Sequence, residues 1–302
     1  MKWPWRVLWA AVVLALIAGI GFYMRPICCI NARTYLKEDL SGVTSRSVQV
    51  AGHRVHYIAE GPAGGPAIVL VHGLGGRCED WSNLVPYLAK AGFRVYMPDL
   101  VGHGRSDRPA DFSYSIRDQA AVVVGFMDAL GLKQVELGGW SMGGWIAELI
   151  AIEHPERVRR LMLLDAAGLD VKPQWDTALF TPDSAVQLAQ LDALLMPRPP
   201  PVPAFLVRDI LRITRRNGWV VKRAMASMLT AQDTTDNLLP QLKMPVLIVW
   251  GSLDLITPID QAQAMHKLIP QSELDLFDGC GHLAPLQCTA QIGPKVVQFA
   301  EQ

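Results

Sequence analysis

The sequence predicts an α/β protein whose core is a mostly parallel, eight-stranded sheet flanked by helices. Three observations predict it. Apolar runs too short for an ordinary helix recur along the chain, stretches with helical apolar spacing separate them, and an alternating hairpin precedes them. The hairpin covers Ser47 to Glu60, where Ser-Val-Gln-Val, a turn at Gly52 and Arg-Val-His-Tyr-Ile alternate polar and apolar residues. After the loop Gly61 to Gly65 come strands at Ala67 to Val71, Val95 to Met97, Val135 to Leu137 and Leu161 to Leu164. Trp81 to Ala91, Ile116 to Leu130 and Trp145 to Glu153 read as the helices between them. Two further strands, Val246 to Trp250 and Glu273 to Phe277, are separated by a helix from Ile259 to Leu268. Continuous apolar strands alternating with helices are the pattern of a parallel sheet covered on both faces.

The sheet is interrupted. Residues 169–239 are rich in Leu, Met, Trp and Phe, broken by Pro197-Arg198-Pro199-Pro200-Pro201, and read as an inserted helical cap. The core is then 47–168 with 240–302, preceded by a polar connector at 31–46 and an N-terminal membrane anchor at 1–30. The anchor rests on Val7 to Met24, 18 positions without a charged residue, with Trp3, Trp5 and Trp9 at one end and Phe22 and Tyr23 at the other. That is close to the length of apolar helix that crosses a bilayer, with aromatic residues at the interfaces. A cleaved signal peptide is the rival reading, but Tyr23-Met24-Arg25-Pro26-Ile27 offers no small-x-small cleavage site. Lys2 and Arg6 on one side face Arg25, Arg33 and Lys37 on the other, so the side of the membrane that holds the catalytic domain stays open.

The 28 basic residues balance the 28 acidic ones and form no run that would track a phosphate backbone, which argues against a nucleic-acid partner. Cys28, Cys29, Cys78, Cys280 and Cys288 show neither a disulfide framework nor a zinc spacing. Cys28 and Cys29 adjoin the apolar segment and are acylation candidates, although structural cysteines are the simpler reading.

The chemistry centres on Gly139-Trp140-Ser141-Met142-Gly143, between a strand and a helix. A serine on such an elbow is a candidate nucleophile, and the Met142 amide at the helix start faces developing negative charge. A hydroxyl is a weak nucleophile at neutral pH, so Ser141 needs a base, and the base needs an orienting acid. His282, in Gly279-Cys280-Gly281-His282, follows the last strand and is the base candidate among seven histidines. Asp254, just past the strand ending at Trp250, is the preferred acid; Asp165, at the end of Leu161 to Leu164, is its rival. His72-Gly73-Leu74-Gly75-Gly76 follows the first core strand and offers the Leu74 amide as second oxyanion donor, with His72 bracing that loop. Asp99 and His103, in the polar turn after the next strand, read as structural.

These five motifs, in this order from about residue 47 to residue 300, resemble the α/β-hydrolase fold family, and with the apolar N-terminus the chain is similar to membrane-anchored serine esterases and lipases of its monoacylglycerol-lipase-like branch. The resemblance implies Ser141, Asp254 and His282 as a triad, Leu74 and Met142 as oxyanion donors, and no metal or cofactor. It implies an acyl ester as small-molecule substrate and the lipid bilayer, through residues 7–24, as partner. A serine rather than an aspartate on the elbow speaks against epoxide and haloalkane hydrolysis. Carbon–carbon bond hydrolysis, amide cleavage and cofactor-free peroxidase chemistry remain open, because one triad serves them all. A non-catalytic binding protein on the same fold is the reading from another class, and the intact elbow and histidine oppose it.

Overall fold

The computed structural model describes residues 5, 9, 12, 13, 19–41 and 43–302. Eight strands form one sheet in the order β1-β2-β4-β3-β5-β6-β7-β8. They are β1 (Thr44–Val50), β2 (His53–Glu60), β3 (Ala67–Val71), β4 (Arg94–Pro98), β5 (Val135–Trp140), β6 (Val158–Leu164), β7 (Val246–Gly251) and β8 (Ser272–Phe277). β1 and β2 form the antiparallel hairpin, β2 joins β4 antiparallel, and every pairing from β4 through β8 is parallel.

Successive side chains of a strand face opposite ways, and here each way is covered. Val69, Val71, Leu161, Leu163, Val246 and Ile248 pack against α3 (Ile116–Ala129), α4 (Met142–Glu153) and α7 (Ile259–Leu268). Ile68, Leu70, Met162, Leu164, Leu247 and Val249 pack against Trp81, α2 (Val85–Lys90), α8 (Ala284–Gln287) and α9 (Thr289–Ala300). The stretch expected to be one helix from Trp81 to Ala91 is instead a 3₁₀ turn, Cys78–Trp81, followed by α2 with Pro86 in its first turn. Proline has no N–H to give to a preceding turn, so an α-helix starts at it rather than running through it.

Between β6 and β7 lie a 3₁₀ turn (Thr177–Phe180), α5 (Ala185–Leu195) and α6 (Ala204–Met228), with the proline run joining the last two. Ser184 caps α5 by accepting the Gln187 N–H.

Residues 31–46, expected to be a polar connector, belong largely to a helix, α1 (Pro26–Ser41), and end in β1. Tertiary contacts rather than its own apolar pattern hold it. The Ile27 N–H donates to Asp209 Oδ2 at 3.0 Å, a carboxylate at the positive end of the helix. Phe22 and Tyr23 lie against Phe205, the Arg77 guanidinium donates to Asn31 Oδ1 at 2.9 Å, and Arg105 stacks on Tyr35 at 4.1 Å. Among the described residues no helix is long and apolar enough to cross a membrane. Half of the apolar segment 7–24 lies outside the described residues.

Candidate active site

Ser141 stands at the joint of β5 and α4 with φ 55° and ψ −121°, a conformation that a residue with a Cβ adopts only where its surroundings enforce it. The flanking glycines make the joint possible by close approach. A Cβ at Gly143 would stand 2.1 Å from the Val71 carbonyl oxygen, and one at Gly139 would stand 2.1 Å from the Gly143 oxygen. The Ser141 N–H donates to Leu164 O at 3.0 Å, tying the elbow to β6.

His282 follows β8, and the Trp140 indole N–H donates to its carbonyl at 2.8 Å. Its Nε2 lies 2.9 Å from Ser141 Oγ and its Nδ1 2.8 Å from Asp254 Oδ2. An ionised carboxylate only accepts, so Nδ1 carries the ring hydrogen and Nε2 is free to accept from the serine. Asp254 is held in turn: Oδ1 accepts the Ile256 and Thr257 N–H groups at 2.7 and 3.0 Å, and Oδ2 accepts the Thr257 hydroxyl at 2.7 Å. Thr257 was not foreseen from the sequence. The Asp-x-x-Thr spacing is that of a side chain capping its own turn, and it could have marked it.

The rival acid does not reach the imidazole. Asp165 is fully buried beside Asp254, its Oδ1 accepting the Gly251 N–H at 2.7 Å. Burial first, and then the Asp254 charge, push its pKa well above the carboxylate range, so it is the neutral member of the pair.

Gly73 backs directly onto the serine; a Cβ there would stand 3.2 Å from Ser141 Cβ. Leu74 follows it, and Met142 opens α4. Among the described residues neither of their amides donates a hydrogen bond, so both donors are unspent beside Ser141. His72 braces this loop, with Nδ1 donating to Gly73 O at 2.8 Å and Nε2 accepting the Leu100 N–H at 3.0 Å. Asp99 accepts the Cys78 and Arg105 N–H groups and the His56 ring at 2.7 to 2.9 Å. His103 is enclosed, and burial pushes its pKa down to about 3, which keeps it neutral.

Two cavities meet at Ser141. One, of about 180 Å³, is lined by Trp145, Trp175, Phe180, Met225, Met228 and Leu229 and leads toward the inserted segment. The other, of about 280 Å³, contains His282, Trp140, Leu195, Leu283, Leu286 and Asp80. The cysteines depart from expectation: Cys280 and Cys288 form a disulfide that closes a nine-residue loop around His282. Nothing in their spacing announces it, because two half-cystines need only converge in space. Cys28, Cys29 and Cys78 are free.

A sheet of this order with a glycine-flanked serine on the elbow between β5 and α4 is the architecture of one class of hydrolases. The chain belongs to the alpha/beta hydrolase fold family, whose profile matches residues 66–191 and 211–287. It is 32% identical over 274 residues to the 2-hydroxymuconate semialdehyde hydrolase of Pseudomonas sp. (strain CF600), covering 84% of this chain and 93% of that one. Lipase 1 of Psychrobacter immobilis is 26% identical over 268 residues, covering 82% and 81%. Among solved structures, a membrane phospholipase A described as a bacterial virulence factor superposes with a TM-score of 0.83 at 26% identity, covering 100% of this chain and 98% of that one.

Proposed function

We propose that the protein is a serine hydrolase that cleaves carboxylic esters of apolar acyl groups, monoacylglycerols or similar lipids, and that residues 7–24 anchor it in a membrane. The observation that carries the ester reading is the aromatic and methionine-lined cavity opening onto Ser141, whose walls suit an acyl chain.

In this mechanism His282 Nε2 takes the Ser141 proton as Oγ attacks the acyl carbon, and Asp254 stabilises the imidazolium that forms. The Leu74 and Met142 amides receive the oxyanion. The imidazolium then gives its proton to the leaving alcohol, and an acyl-enzyme remains; His282 next activates water to release the acid. Lipase 1 and the membrane phospholipase A, both similar to this chain, support a lipid ester as substrate.

Carbon–carbon bond hydrolysis is the second reading, favoured by the 32% identity to the semialdehyde hydrolase. A muconate-type substrate brings a carboxylate, which needs a cation. Apart from His282, Lys172 is the one cationic side chain among the described residues lining the two cavities, and it is solvent-exposed. The site therefore suits the neutral ester better. A panel of p-nitrophenyl esters of increasing chain length, run beside a monoacylglycerol, an aryl amide and a meta-cleavage dienoate, separates the readings. The ester reading expects turnover that rises from acetyl to octanoyl; turnover of the dienoate alone overturns it.

The full-length alignment with a membrane phospholipase A supports the anchor, and the Cys280–Cys288 disulfide supports a catalytic domain on the oxidising side. Release of the protein from membranes by alkaline carbonate would contradict the anchor. Protease accessibility of the catalytic domain only from the reducing side would contradict the orientation.

A further inference from the structure

Asp80 sits on the 3₁₀ turn that follows the Gly73–Gly76 loop and borders the cavity that holds His282. Its Oδ2 accepts the Arg77 N–H at 2.9 Å, and among the described residues this is the carboxylate's one hydrogen bond. Gly76 leaves room for it: a Cβ there would stand 2.7 Å from Oδ2. The same cavity is lined by the apolar Leu191, Leu195, Leu283 and Leu286. Burial raises the Asp80 pKa, against the Arg77 N–H and the His72 and Arg77 groups, which lower it. Asp80 is half-buried, and its Oδ1 takes no hydrogen bond from the described residues, so it is open to a donor on a ligand in that cavity, where a hydrogen bond to an ionised acceptor is among the stronger ones.

The proton inventory of the reaction says which part of the substrate meets it. When the tetrahedral adduct on Ser141 collapses, the carbon–oxygen bond to the alcohol breaks, its electron pair stays on that oxygen, and the oxygen takes the proton from His282 Nε2. The leaving oxygen must therefore lie within hydrogen-bond reach of Nε2. Both cavities include Ser141, but His282 lines only the one that Asp80 borders. The alcohol departs into that cavity, and the acyl chain occupies the opposite, aromatic one.

We infer that Asp80 is a specificity-determining residue that accepts a hydroxyl of the leaving alcohol, so that the enzyme prefers acyl esters of polyols such as glycerol over esters of plain alkanols. This rests on the ester reading. A hydroxylated alcohol fits better than an ammonium alcohol, because a second positive charge would face the His282 imidazolium just when the leaving group needs its proton.

The test compares kcat/KM for 1-octanoylglycerol and ethyl octanoate, which share an acyl chain, in the wild type and in Asp80→Asn. Asparagine keeps an oxygen for the Arg77 N–H but turns an amide donor toward the cavity. The wild type is expected to favour the glyceryl ester about tenfold, the scale of one hydrogen bond to a charged acceptor, and Asp80→Asn to lose most of that ratio. A partly misfolded variant lowers both rates alike and leaves the ratio intact. Equal rates on the two esters in the wild type, or an unchanged ratio in the variant, overturn the inference. Hydrolysis of neither ester by the wild type is a different result, since it removes the ester reading itself.

Discussion

Asp254 and Asp165 are buried neighbours at the ends of β7 and β6, yet only Asp254 touches His282, at 2.8 Å. The two carboxyls therefore have separable effects. Asp254→Asn presents the imidazole with the wrong partner and is expected to lower kcat on a p-nitrophenyl ester by about 10⁴-fold. Asp165→Asn keeps an oxygen for the Gly251 N–H and replaces a group that is already neutral. It is expected to cost less than about tenfold. A loss in Asp165→Asn as large as in Asp254→Asn would show that the wrong acid has been chosen.

Ser141→Ala, His282→Ala and the double variant should lose nearly the same activity, because in the proposed mechanism the two side chains perform one step together. Activities that multiply, so that the double variant falls by the product of the single losses, would mean that the residues act independently.

The Cys280–Cys288 disulfide encloses His282 and adjoins α9. Closing a loop this short stabilises a fold by about 2.5 kcal/mol on the chain-entropy account. For a protein of this size that corresponds to roughly 4 °C in the melting temperature. Cys280→Ser with Cys288→Ser is expected to show that drop in calorimetry and to lower kcat by freeing the histidine loop. An unchanged melting temperature and kcat would mean that the bridge is dispensable for both.

Glu148 on α4 is wholly enclosed, and burial pushes its pKa from 4.5 up to about 8 despite the Thr235 hydroxyl that donates to Oε2 at 2.6 Å. A group whose folded pKa is raised contributes stability below its unfolded pKa, and that contribution is lost as pH rises through the folded value. Thermal stability should therefore fall between about pH 4.5 and 8. Glu148→Gln should flatten the decline, which melting curves across that window can read. A slope identical in the variant would assign the decline to other groups.

Much of this molecule was legible in the sequence, and what was missed has a physical reason. The strands of the parallel sheet could be read because both faces of Ala67–Val71 or Val246–Gly251 are buried, which demands an unbroken apolar run. The elbow could be read because its glycines answer a steric demand that no other residue meets. Helix α1 was missed because Asp209, Arg77 and Arg105, all distant in sequence, hold it. The disulfide and the Asp80 cavity were missed for the same reason: each exists only once the chain brings distant segments together.

The central claim is that Ser141 is the nucleophile activated by His282. It is tested most directly by incubating the protein with a fluorophosphonate and mapping the adduct by peptide mass spectrometry. One adduct on Ser141, formed far more slowly in His282→Ala, is the predicted result. No adduct, or one on another residue while ester hydrolysis proceeds, would contradict it.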